Sequence, residues 1–138
     1  MGDRRQAREM ALQALFSLDV NHIDPEQGID DFCDQHEALL TEAVKPFFLE
    51  LVTGVMADRE SIDRLLDKWA KNWKISRMPV VDRNIMRLAV FELLKKPDIP
   101  ASVSINEAVE IGKKFGTRDS GPFINGVLDR IRSQENLG

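Results

Sequence analysis

KKFGTRDSGPFINGVLDRI, residues 113–131, joins the end of one helix to the start of another through a tight polar loop. Gly116 is placed as a helix-ending glycine, and Pro122 falls in the first turn of the next helix, where its missing N–H costs nothing. Ile124, Val127, Leu128 and Ile131 recur at helical spacing and form a complete apolar face. Phe123 lies roughly 100° from the centre of that face. A large aromatic stands there directly after Arg118, Asp119 and Ser120. From the residues alone it reads as a rim residue closing the core between the last two helices.

Outward from this stretch, the rest of the chain divides at its proline, glycine and asparagine clusters into segments of the same period. The first runs from about Arg4 to Asp19 with Ala7, Ala11, Ala14 and Leu18 as its core stripe; Asp3 and Gln6 have capping-box spacing. The second, about Glu26 to Ala38, places Ile29, Phe32, Cys33 and His36 on one face. The third begins near Pro46 and turns Phe48, Leu51, Val52 and Val55 inward. Ile62, Leu65, Leu66, Trp69 and Trp73 give the fourth the longest clean stripe. The fifth, about Pro79 to Lys95, carries Ile85, Leu88, Ala89 and Leu93 inward. The two prolines of KKPDIPAS then enforce an extended crossing. The sixth opens on a second capping-box pattern, Ser104 with Glu107, and the seventh follows Ser120. No stretch alternates with period two. The expected class is all-α, seven helices in one domain over residues 1–138.

With 138 residues the chain buries roughly two thirds of its unfolded surface, enough for a core without staples. Hydrophobic residues make up 43% and charged residues 30%, too apolar for disorder. No apolar run reaches the roughly 18 residues of a bilayer span, no signal peptide opens the chain, and the single Cys33 excludes an internal disulfide. A cytoplasmic protein without membrane association is expected. The net charge of −4 means that attraction to a polyanion must come from local patches or from a second protein.

Catalytic chemistry finds little support. Cys33 and His36 have the spacing of a thiolate–imidazole pair, but both sit on the apolar stripe with Ile29 and Phe32, where cysteine serves as a small hydrophobe. Two histidines and one cysteine are too few for a zinc site of usual ligand count. Gly116 and Gly121 lack the lysine and preceding strand of a phosphate loop. No catalytic residue, metal or cofactor is expected.

The first helix carries a different signal. Phe16 lies roughly 180° from Ala7, on the side of Arg5 and Glu9. Burial on two sides of the helix explains it. So does a surface in which an aromatic stacks on unpaired RNA bases while Arg4, Arg5 and Arg8 meet phosphates. Lys71, Lys74, Arg77, Arg83 and Arg87 form a second basic cluster, and Lys113, Lys114 and Arg118 a third.

Taken together, RRQAREMALQALFSLD, VVDRNIMRLAVFEL and PASVSINEAVEIGKKFGTRDSGPFINGVLD, in this order over nearly the whole chain, resemble the NusB family of transcription antitermination factors. The resemblance implies two small helical bundles packed together and a non-enzymatic role. It implies binding of single-stranded boxA RNA in ribosomal-operon transcripts together with the small-subunit ribosomal protein NusE. That complex acts on RNA polymerase as an antitermination complex supporting ribosomal RNA synthesis. The family's arginine-rich motif falls on Arg4, Arg5 and Arg8, interrupted by Gln6 where arginine is common. A family aromatic falls on Phe16, with phenylalanine where tyrosine is frequent. An acidic position falls on Asp82, shorter than the usual glutamate. Asp119 lies in the polar loop, and the RNA-facing phenylalanine falls on Phe123, which the resemblance turns from a rim residue into a stacking platform. Gly116 and Gly121 would let RNA approach the loop backbone. The related domain of RNA cytosine methyltransferases needs a further cofactor-binding domain, for which a chain ending at Gly138 is expected to have no room. A helical module that pairs with its own copy, as some family members do, is the other alternative.

Overall fold

The computed structural model describes residues 2–71 and 73–138. Among them are seven α-helices and no strand: α1 (Asp3–Asn21), α2 (Pro25–Gln35), α3 (Lys45–Ala57), α4 (Arg59–Trp69), α5 (Val80–Lys95), α6 (Ala101–Phe115) and α7 (Ser120–Gln134). A 3-10 turn, Ile75–Arg77, precedes α5. Helices α1–α3 form one bundle and α4–α7 the other. The join is α5, which packs against α1 and α3 on one side and α4, α6 and α7 on the other.

That central position explains why α5 is not simply amphipathic. The expected stripe of Ile85, Leu88, Ala89 and Leu93 is buried, but so is every residue between Ile85 and Leu93, including Arg87 and Glu92. A buried charge is tolerated only when paired and hydrogen-bonded. Arg87 donates to both carboxylate oxygens of Asp63, at 2.8 and 3.0 Å, and to Asp19 at 3.0 Å. Arg83 and Asn84 also donate to Asp19, so the last turn of α1 is tied to α5 through one carboxylate. Desolvation alone would raise the Asp19 pKa. Hydrogen bonds from Arg83 and Asn84 and the charges of Arg87 and Arg83 outweigh it and hold the group at about 2. Two cations expected in a basic surface cluster, Arg83 and Arg87, are therefore internal ties.

Local signals and final boundaries differ in three places. Asp3 does not cap α1 but lies in its first turn; Gly2 precedes the helix and its carbonyl accepts from the Gln6 N–H. Ser104 does not cap α6, which starts earlier at Ala101, directly after Pro100. Its hydroxyl donates instead to buried Glu92 at 2.8 Å, a charged acceptor that competes better than a backbone amide. Trp73, the last member of the long stripe, lies beyond the end of α4 and is 48% exposed. A cap the sequence reading did not specify holds α2, where Asp24 accepts from the Gln27 N–H next to Pro25. Cys33 and His36 make no pair: the imidazole stacks on Phe32 at 4.0 Å and its Nδ1 lies 2.9 Å from the Phe32 carbonyl oxygen.

Candidate nucleic-acid interface

Side-chain ion pairs bridge α1 and α6: Arg5–Glu107 near their starts and Glu9–Lys114 further along. Phe16 lies seven residues beyond Glu9 on that side of α1, about 10 Å further along the axis. Phe16 is 39% exposed and outside the core, so burial on two sides of the helix does not account for it, although Leu12 on the same side is buried.

The three arginines of the first helix have different fates. Arg4 is exposed, with its guanidinium 5.0 Å from the centre of the Phe47 ring. Arg5 is half-exposed and grips both oxygens of Glu107 at 2.9 and 2.6 Å, an arrangement that raises its own pKa and lowers that of Glu107. A solvent-facing pair of this kind is worth little and can exchange partners. Arg8, expected among the phosphate-facing residues, is only 4% exposed. Its Nε and Nη2 donate to the two carboxylate oxygens of Glu92 at 2.9 and 2.7 Å, while Nη1 lies 3.6 Å from Glu107. With Ser104 on the same carboxylate, Arg8 is a strut joining α1, α5 and α6 and has no face left for a phosphate.

The loop between α6 and α7 is organised by Ser120, which sequence reading treated only as a helix start. Its hydroxyl donates to Asp82 Oδ1 at 2.8 Å and accepts from the Thr117 N–H at 2.9 Å. Asp82, expected to read a base, is buried in the first turn of α5 with one oxygen committed to Ser120. Burial raises its pKa and the serine hydrogen bond only partly offsets this. Gly116 does end α6, but at φ −96°, so no left-handed conformation requires glycine there. The requirement is steric. A Cβ would overlap the Ser120 hydroxyl and come within 2.8 Å of the Gly112 carbonyl oxygen. Gly121 is buried against the aliphatic stem of Lys113. The glycines therefore admit the loop's own groups, in place of the external approach expected of them.

What faces outward at this end is Asp119, exposed at the N-terminus of α7, with Arg118 beside it and Phe123 one turn on. Phe123 is half-buried: it packs on the core, as the rim reading required, and still presents part of its ring. Its neighbour is Trp73, edge-on at 6.4 Å between ring centres. In the third basic cluster, Lys114 is held by Glu9 and Lys113 by Glu110, leaving Arg118 without an ion pair among the described residues. Among the described residues no group of three or more metal-ligating side chains occurs, and no helix is long and apolar enough to cross a membrane.

The comparisons with known proteins agree with this architecture. The NusB family model matches residues 5–133. The transcription antitermination protein NusB of Desulforapulum autotrophicum is 60% identical over 137 residues, covering 99% of this chain and 96% of that protein. Among solved structures, T. maritima NusB superposes with a TM-score of 0.84 at 37% identity, over 95% of this chain and 91% of the other. A chain from a crystal structure of antitermination factors NusB and NusE in complex with dsRNA superposes at 0.86 and 25% identity, over 97% and 98%. On a full-length sequence match and a shared seven-helix architecture, this chain belongs to the NusB family.

Proposed function

We propose that this protein is a cytoplasmic transcription antitermination factor that binds single-stranded boxA RNA of ribosomal-operon transcripts together with NusE and acts within the RNA polymerase antitermination complex. It works as a single domain and by binding rather than catalysis. The observation that carries the reading is the ring surface left in water by two aromatics displaced from their apolar stripes, Phe16 on α1 and Phe123 at the start of α7, with the exchangeable cations Arg4 and Arg5 on α1. Exposed aromatics beside cations that can exchange partners suit unpaired bases and a phosphate backbone. The net charge of −4 assigns much of the electrostatic work to a basic partner, a role that fits NusE.

Within this reading the contact residues are Arg4, Arg5, Phe16, Asp119 and Phe123. Arg8, Asp82 and Gly116 act through them: Arg8 sets the α1–α6 seam, and Asp82 and Gly116 set the loop through Ser120. The test is anisotropy titration of labelled boxA RNA, scrambled RNA and a boxA duplex, with and without NusE. Selective binding of the single strand, tightened by NusE, supports the proposal. Equal binding of all three RNAs under both conditions refutes it. Self-association is a second reading, favoured by the exposed apolar residues Phe16, Val20 and Ile23 near the end of α1. A mass that rises with concentration, and falls when RNA is added, would support a dimer that hides this surface.

A further inference from the structure

The helical stripe that runs through Ile62, Leu66 and Trp69 would bury Trp73 if α4 continued. It stops at Trp69, and Ala70 turns the chain outward at φ −87°, ψ 88°. Trp73 and Ile75 are each anchored to the end of α4. The Trp73 N–H donates to the Ala70 carbonyl at 3.2 Å, and the Ile75 N–H donates to Asp67 Oδ1 at 2.7 Å. The outcome is an indole with about half its surface in water, placed edge-on to Phe123 with 68° between the ring planes.

The chain on either side of it is cationic. Residues 71–78 contain Lys71, Lys74 and Arg77 and no acid. All three cations are exposed, and none forms an ion pair among the described residues, whereas most other exposed cations flanking the α1–α6 seam do. Asp67, the nearest acid in sequence, is occupied by the Ile75 amide. Two aromatic rings meeting at a corner, with free cations on the flanking chain, suit unpaired bases that stack while their phosphates are neutralised. An apolar protein partner would gain nothing from the three unpaired cations.

We propose that Trp73 is a base-stacking residue, and that Trp73 and Phe123 seat the bases of two adjacent unpaired nucleotides, with Lys71, Lys74 and Arg77 along the phosphates between and beyond them. This extends the RNA-binding surface from α7 across to the α4–α5 connection and rests on the RNA-binding reading given above.

Trp69 and Trp73 are the two tryptophans of the chain, so Trp69→Phe leaves Trp73 as the sole indole reporter. Titrating this variant with boxA RNA in the presence of NusE should quench indole emission along the same curve as the anisotropy of labelled RNA. Trp73→Ala should weaken RNA binding roughly 5- to 150-fold, the range expected for losing one stacked base, with Trp73→Phe recovering most of it. Melting curves of each variant verify folding, and Trp73→Phe carries the test if Trp69→Phe does not fold. Unchanged affinity for Trp73→Ala, while Phe123→Ala weakens binding, overturns this proposal and leaves the RNA-binding reading intact. Loss of NusE binding without loss of binding to RNA alone overturns it in favour of a protein contact. Failure of the unsubstituted protein to bind boxA RNA with NusE present defeats the underlying reading instead.

Discussion

Arg8→Met separates a strut from a ligand at the residue where sequence and structure disagree most. The substitution keeps an unbranched apolar stem but removes the guanidinium, leaving Glu92, 2% exposed, with only the Ser104 hydroxyl. Breaking a buried ion pair from one side costs about 3–5 kcal/mol, because the remaining charge stays desolvated. For a chain of this size each kcal/mol moves Tm by roughly 3–5 °C, so a fall of about 10–20 °C is expected at pH 7. The double variant Arg8→Met, Glu92→Leu should recover most of the stability, since an apolar pair of similar volume often matches or exceeds a buried ion pair. Differential scanning calorimetry of the parent and the two variants at pH 7 makes the measurement. A Tm within about 2 °C of the parent, less than 1 kcal/mol on that scale, together with a large loss of RNA affinity, would refute the strut assignment and return Arg8 to the phosphate-binding residues.

Other perturbations test neighbouring steps. Replacing Arg4 and Arg5 together by alanine should leave Tm nearly unchanged and lower the slope of log affinity against log salt by roughly 0.7 for each phosphate no longer neutralised; an unaltered slope removes both from the interface. Asp19 has its folded pKa depressed to about 2, so its stabilisation is complete above the unfolded value near 3.9 and is lost as pH falls toward 2. The gap in urea stability between parent and Asp19→Asn should therefore close by roughly 2 kcal/mol between pH 6 and pH 2, and a pH-independent gap would contradict the assignment. Asp82 has the opposite sign: its raised pKa makes its contribution to stability fall as pH rises through the folded value. Asp82→Asn should consequently be no less stable than the parent at pH 7, while Ser120→Ala should lose about 1–3 kcal/mol by leaving the Thr117 amide and the Asp82 carboxyl without their partner. Gly116→Ala should cost about 1–3 kcal/mol by overpacking against Ser120, and should weaken RNA binding through the displaced loop; full stability in urea would show that the loop gives way easily.

Helical class, helix number and the main apolar stripe of most helices were legible in the chain because they depend on local spacing. A stripe such as Ile124, Val127, Leu128 and Ile131 needs no knowledge of its partner to declare an inward face. The same arithmetic marked Phe16 and Phe123 as aromatics displaced from those stripes, and both retain exposed ring surface. What spacing could not assign is the fate of a polar side chain. Arg5 and Arg8 stand three residues apart in one arginine-rich motif. One ends half in water against Glu107 and the other buried against Glu92, because α5 delivers a carboxylate from 84 positions away. Asp82 and Ser120 meet across 38 positions for the same reason. Trp73 obeys the period of the stripe before it, yet lies outside the helix because the chain turns at Ala70. Periodicity is a property of one helix. The pairing of charges, the setting of the loop and the aromatic corner are properties of how helices meet, and those follow from long-range packing that no short window of sequence contains.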